Sequence, residues 1–130
     1  KEETWGTGSI LIVEDEDMVR AVAQRALERQ GYTVETASDG EEALETIAEG
    51  RPYDLVVSDV VMPNMDGPAM ARKLRRQRPD LPILFMSGYA EEQLRESIDL
   101  DNIGFLPKPF SVQQIAEAVG DVLRASRKKD

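Results

Sequence analysis

Short apolar runs alternate five times along this chain with stretches whose apolar residues recur at helical spacing. Ser9 to Val13 is a short apolar strand that ends in Glu14-Asp15-Glu16-Asp17. From Asp17 to Gln30, the residues Met18, Val19, Val22, Ala23, Ala26 and Leu27 share one side of an amphipathic helix, and Gly31 stops the pattern. Tyr32 to Ala37 alternates Tyr and Val with Thr and Glu, as a more peripheral strand does. Ser38-Asp39-Gly40 turns into a helix from about Glu41 to Glu49, with Ala43, Leu44, Ile47 and Ala48 inward. Tyr53 to Asp59 centres on Leu55-Val56-Val57, apolar on both faces, which predicts a strand inside a parallel sheet covered by helices. A third helix is expected from Asp66 to Gln77, with Met70, Leu74, Ala69 and Ala71 as its apolar content. Ile83 to Met86 and Ile103 to Leu106 are further short strands, separated by a helix from about Glu91 to Ile98. Ser111 caps a last helix through about Leu123, and the basic residues from Arg124 onward suit its C-terminus.

Five βα units in a row imply an α/β fold: a parallel sheet with helices on both faces and right-handed crossovers. The doubly wound strand order 2-1-3-4-5, a flavodoxin-like topology, puts the carboxyl ends of the first and third strands side by side at the switch point. One domain over residues 9–125 is expected, with a lead-in over 1–8, where Trp5 has room to pack on the domain edge, and a tail over 126–130.

Composition narrows the chemistry. The 130 residues contain no cysteine and no histidine, which excludes disulfides, thiolate zinc sites and Ser-His-Asp catalysis. A phosphohistidine, if one is used, must come from a partner. The net charge of −9 argues against general binding to nucleic acid or anionic membranes. Arg72, Lys73, Arg75, Arg76 and Arg78 are expected to form a solvated helix face. No apolar run approaches the ~20 residues of a membrane-spanning helix and no signal peptide is present, so a cytoplasmic location is expected. The chain opens at Lys1 rather than methionine, as a domain cut from a longer protein does.

The strand ends carry Glu14 and Asp15, then Asp59, then Ser87, then Lys108. In the expected fold these converge on one rim. A lone Asp59 after an apolar run could simply accept backbone N–H bonds in the turn. Clustered with Glu14 and Asp15 it should suffer mutual repulsion that raises carboxyl pKa values, and Mg²⁺ relieves such a conflict through hard oxygen ligands. Lys108 then offers the complementary charge for a phosphoryl group, Ser87 a hydroxyl donor, and Asp59 a carboxylate nucleophile able to form an acyl phosphate.

The motifs ILIVEDE (Ile10 to Glu16), LVVSDVVMPNMDG (Leu55 to Gly67), FMSGYA (Phe85 to Ala90) and FLPKPF (Phe105 to Phe110) resemble those of the receiver (response-regulator) domains of two-component signalling. The resemblance runs from Gly8 to Leu123. It implies that Asp59 accepts a phosphoryl group from a phosphohistidine, in a domain that catalyses its own phosphorylation and dephosphorylation. It further implies that Asp15, Asp59 and the Val61 backbone carbonyl ligate Mg²⁺, with Glu14 acting mainly through water. Ser87 corresponds to the switch hydroxyl, Lys108 to the site lysine, Phe105 to the aromatic that rotates inward, and Lys108–Pro109 to a cis peptide position. Glu14 and Phe105 stand where Asp and Tyr are commoner. The segments TWGTGSILIVEDED, VVMPNMDGPAMARK, SGYAEE and FLPKPFS are similar to the C-terminal receivers of hybrid histidine kinases of the cell-cycle kinase (CckA-like) type. The partners so implied are the phosphohistidine of a histidine kinase and a separate histidine phosphotransferase.

Other readings of the same residues exist. A flavodoxin-like cofactor binder needs hydroxyls and amides where Glu14-Asp15 stand. An aspartate-nucleophile phosphatase of the haloacid-dehalogenase type usually has an acid/base Asp two residues past its nucleophile, where this chain has Val61. A phosphorylation-independent interaction module is a further alternative. The apolar side of the first helix covers close to half its circumference, wide enough that its N-terminal edge could stay exposed for docking.

Overall fold

A computed structural model describes residues 8–128. In chain order its elements are β1 (Ser9–Val13), α1 (Asp17–Arg29), β2 (Thr33–Ala37), α2 (Gly40–Ala48), β3 (Leu55–Asp59), α3 (Gly67–Gln77), β4 (Ile83–Ser87), α4 (Glu91–Ser97), β5 (Ile103–Pro107) and α5 (Val112–Lys128). The sheet has the order β2-β1-β3-β4-β5 with every pair parallel. The expected α/β class, element sequence and doubly wound topology are therefore all present. The last helix runs past Leu123, so residues 126–128 of the expected tail are helical. Trp5 and the lead-in over residues 1–7 lie outside the described residues.

Strand periodicity divides the core in two. Leu11, Val13, Val56, Ile83 and Phe85 face one side, where Ala43 and Ile47 of α2, Met70 and Leu74 of α3 and Leu94 of α4 cover them. Ile10, Ile12, Leu55, Val57, Leu84 and Met86 face the other, under Ala23, Ala26 and Leu27 of α1 and Ile115, Val119 and Leu123 of α5. All five residues of β3 and of β4 are buried, as expected for strands with helices on both faces. Edge strand β2 is mostly half-exposed. Burying each large aliphatic side chain contributes about 1.5–3 kcal/mol, so these two layers are the main stabilising term.

Three helices begin on side-chain caps. Asp39 accepts from the Glu42 N–H at 2.8 Å and Asp66 from the Ala69 N–H at 2.9 Å. At α5, Ser111 Oγ accepts from the Gln114 N–H at 3.0 Å while Gln114 Oε1 accepts from the Ser111 N–H at 2.8 Å, a reciprocal capping box. The N-caps of α1 and α4, Glu16 and Ala90, make no such bond.

On α1 only Ala23, Ala26 and Leu27 are buried, and Met18 and Val22 toward its N-terminus are exposed, as the width of its apolar side allowed. Two expectations need correction. Ala48 of α2 is exposed rather than inward. The basic residues of α3 are not all a solvated face. The Arg75 side chain is 8% exposed and donates to the carbonyls of Leu81 at 2.7 Å and Asn102 at 3.0 Å. Arg78 donates to the Ile47 carbonyl at 3.0 Å and lies over the Tyr53 ring. These guanidiniums tie α3 to α2 and to the loops that precede β4 and β5.

Gly67 decides how closely α3 can start beside the end of β3. Its N–H donates to the Val60 carbonyl at 2.8 Å, and a Cβ here would stand 2.3 Å from the Asp59 carbonyl oxygen. Backbone on both sides leaves nothing flexible to yield. Gly67→Ala should therefore destabilise the domain by about 1–3 kcal/mol, the usual cost of overpacking. Urea unfolding measures it, and an unchanged midpoint would mean that the loop after β3 relaxes freely.

Candidate functional site

Glu14 follows β1, Asp59 ends β3, Ser87 ends β4 and Lys108 follows β5, so all four leave the sheet at one edge. Val13 pairs with Ser58, which sends Glu14 and Asp59 out of the sheet side by side. Both are buried, and two bare carboxylates so placed would be strongly unfavourable. Lys108 relieves this. Its Nζ lies 3.1 Å from Glu14 Oε1 and 3.2 Å from Asp59 Oδ2. The Lys108 backbone N–H donates to the Ser87 carbonyl at 2.8 Å, which anchors the loop carrying the ammonium. The remaining carboxylate oxygens also accept bonds: Glu14 Oε2 from the Glu16 N–H at 3.0 Å, Asp59 Oδ1 from the Val60 N–H at 2.8 Å.

Asp15 projects its carboxylate from the exposed side of the same loop. One oxygen each from Glu14, Asp15 and Asp59 lies within 4.8 Å of the other two. This all-oxygen donor set matches a hard cation such as Mg²⁺, which binds through one or two carboxylates and retains waters. The residues present fit that ion. Val61, whose backbone carbonyl is the further expected ligand, has an exposed side chain.

Burial pushes the Glu14 carboxyl above its ordinary 4.5, the Glu16 amide pulls it down, and the Asp59 charge adds to the rise while Lys108 opposes it. The expected repulsion thus acts on Glu14, but after burial. Burial alone would lower the Lys108 ammonium, yet its bonds to Glu14 and the charges of Asp59 and Glu14 outweigh that and hold it above 10.5.

A family model described as the response regulator receiver domain matches residues 10–120. The chain belongs to the receiver domain family. It is 51% identical over 120 residues to the sensor kinase CckA of Brucella abortus (strain 2308), covering 91% of this chain and 13% of that protein. To the response regulator MprA of Mycobacterium ulcerans (strain Agy99) it is 41% identical over 124 residues, covering 93% of this chain and 52% of that one. The chain therefore spans only part of the length of both relatives. Among solved structures, the receiver domain of the hybrid histidine kinase CckA aligns with a TM-score of 0.76 at 44% identity, over 89% of this chain and 99% of that one. Chemotaxis response regulator CheY4 of Vibrio cholerae aligns with a TM-score of 0.80 at 30% identity, over 89% and 98%.

In this receiver, Ser87 is buried and its Oγ accepts from the Tyr89 N–H at 2.8 Å. Phe105, one strand away, stacks on Phe85 with centroids 6.2 Å apart. The Arg95 guanidinium, paired with Glu91 at 2.8 Å, covers the Phe105 ring at 4.8 Å. Lys108–Pro109 is a cis peptide, as its position suggested. Beside the acidic cluster, Met18, Val19, Val22, Lys108, Pro109 and Phe110 line an apolar pocket of about 220 Å³. No described helix is long and apolar enough to cross a membrane.

Sequence reasoning missed Gly67, Arg95 and Arg20 as contributors to this edge. Gly67 and Arg95 act through close approach and ring contact between distant elements, which leave no mark on local pattern. Arg20 had a signal: a cation in the first turns of a helix opposes its dipole, and such a residue needs another reason.

The Glu14 shift has a sign in solution. A carboxyl raised in the folded state costs stability as pH climbs from 4.5 through its folded midpoint, because the folded state holds its proton longer. Lys108 lowers that midpoint, so Lys108→Met should raise it and widen the window of lost stability. Carboxyl-detected NMR titration of Glu14 checks this; a midpoint that stays put or falls contradicts the electrostatic account.

Proposed function

We propose that this receiver takes a phosphoryl group from a phosphohistidine onto Asp59, with Mg²⁺, and either passes it on or changes conformation. The observation that carries the reading is the Lys108 ammonium set between Asp59 and Glu14, with an oxygen of Asp15 close by. Side by side at one edge of the sheet stand a carboxylate suited to be the nucleophile, a charge partner for a phosphoryl oxygen and a cluster of oxygens suited to a cation.

Asp15, Asp59 and the Val61 carbonyl would hold the metal, with Glu14 acting through water. Bound Mg²⁺ supplies charge neutralisation for the phosphoryl oxygens. One Asp59 carboxylate oxygen attacks phosphorus in line. A P–O bond forms as the P–N bond to the partner's imidazole breaks, and the electron pair leaves on the imidazole nitrogen. Lys108 turns from the carboxylates to a phosphoryl oxygen. Hydrolysis by water later returns Asp59. The Ser87 hydroxyl, which accepts from Tyr89, keeps its own proton to donate to the phosphoryl group. Its movement opens the pocket it lines with Leu94, Phe105 and Leu106, and the Phe105 ring follows. The domain over residues 9–125 works in the cytoplasm, and its kinship with CckA favours a place within a hybrid histidine kinase that exchanges phosphoryl groups with a histidine phosphotransferase.

Incubation with acetyl phosphate and Mg²⁺ should place a hydroxylamine-sensitive phosphate on Asp59, found by mass spectrometry and absent with EDTA. NMR on the same sample should shift Ser87 and Phe105. Undiminished labelling of Asp59→Ala would sink the reading, and a wild-type chain that takes no label would favour a phosphorylation-independent interaction module.

The partner surface is the apolar pocket bordered by Met18 and Val22, which are 81% and 48% exposed although both are large apolar residues. It adjoins Lys108, so a helix docked there brings its phosphohistidine to Asp59. Val19→Glu should slow transfer from a phosphohistidine partner about tenfold, equivalent to ~1.4 kcal/mol, yet leave acetyl phosphate labelling nearly intact. A parallel fall in both rates would make Val19 a core residue; no fall in either would place the partner elsewhere.

A further inference from the structure

Arg20 makes bonds that its place on α1 does not explain. It lies in the first turns of a helix whose N-cap, Glu16, has no side-chain bond, where a positive charge opposes the helix dipole. Its guanidinium reaches back instead. One nitrogen donates to the Glu14 backbone carbonyl at 2.8 Å and another to Asp17 Oδ1 at 2.6 Å. The Arg20 side chain is only 21% exposed, against 89% for Asp17, so this is not simply a surface pair.

The target of the longer reach matters. Glu14 is already tied by its N–H to the Ala37 carbonyl and by its side chain to the Glu16 N–H and Lys108. Its carbonyl is the group through which the chain turns from β1 toward Asp15. A guanidinium fork fixed at two points sets that turn as one lysine ammonium could not. It thereby sets the direction in which the Asp15 carboxylate, exposed and without a rigid strand behind it, faces Asp59.

We infer that Arg20 is a positioning residue for the acidic cluster, clamping the Glu14–Asp17 turn so that Asp15 and Asp59 present their oxygens to one cation. The inference rests on the proposed Mg²⁺ reading of the site. It makes a prediction opposite in sign to simple electrostatics. Removal of a positive charge near a cation site should tighten Mg²⁺ binding; loss of a clamp should weaken it.

Mg²⁺ titrations followed by backbone NMR, on unphosphorylated protein, distinguish the two. Arg20→Ala should weaken Mg²⁺ affinity about tenfold, the lower end of what outer partners of metal ligands contribute, and should speed amide exchange over residues 15–17 in metal-free protein. Arg20→Lys, which keeps the charge but not the fork, should fall between the two. Asp17→Ala, which removes one of the two anchors and leaves the bond to the Glu14 carbonyl, should weaken Mg²⁺ binding by less than Arg20→Ala, and should lower Tm through loss of a dipole-stabilising acid. Unchanged or tighter Mg²⁺ binding in Arg20→Ala overturns the role of Arg20, as does a loss in Asp17→Ala as large as that in Arg20→Ala. Absence of any Mg²⁺ response in the wild-type chain overturns the reading of the site itself, and the inference with it.

Discussion

Two carboxylates, Glu14 and Asp59, leave adjacent strands into a buried corner, and the ammonium of Lys108 from a third strand end lies between them. Much of the functional edge follows from this constraint. Desolvation and like charge both work against the pair, and the local dielectric makes the opposing attraction to Lys108 correspondingly strong. The same arrangement leaves the cluster with more negative than positive charge. A site with that imbalance suits a divalent cation. Burial is what separates this cluster from the many exposed acids of a chain carrying −9.

Tight fixation of the sheet contrasts with looser fixation of two neighbouring helices. β3 and β4 are wholly buried, and α3 is pinned at its start by Gly67 and at its end by Arg75 and Arg78. The helices without a side-chain cap are α1 and α4. Of these, α1 begins at the acidic turn and α4 carries Arg95 over Phe105. Elements that must respond to a ligand are drawn from the less stabilised parts of a structure. Here the buried strand β3 carries Asp59, and the loop after β5 brings Lys108 to it.

The acidic cluster and the apolar pocket are contiguous on this surface. Lys108 faces the carboxylates through its ammonium and lines the apolar pocket through its stem, with Pro109 and Phe110 continuing the pocket toward α1. An apolar surface suits a partner that must come close to an acidic site, since it adds contact without adding repulsion. The exposure of Met18 and Val22 follows from the packing of α1, which spends Ala23, Ala26 and Leu27 on the sheet and leaves its first turns beyond it.

Much of this was legible in the residues alone. Continuous apolar runs such as Leu55-Val56-Val57, alternation at Tyr32 to Ala37, and helical spacing closed by Gly31 are local patterns that encode strand, edge strand and helix. Chain order then implies a parallel doubly wound sheet, and the last residue of each strand must fall on the carboxyl edge. Glu14, Asp59, Ser87 and Lys108 could therefore be brought together without coordinates. What only the tertiary structure decided is which side chains meet. Arg75 and Arg78 look like solvated cations in the sequence, but they bond the carbonyls of Leu81, Asn102 and Ile47, the last two far along the chain. Met18 and Val22 share the apolar side of their helix with Ala23 and Leu27, and the packing leaves the first pair exposed and the second buried. Lys108 bridges two carboxylates, and Gly67 is required by a backbone oxygen in front of it. Local pattern encodes the period of a helix or strand, whereas these contacts depend on distances between elements that only packing sets.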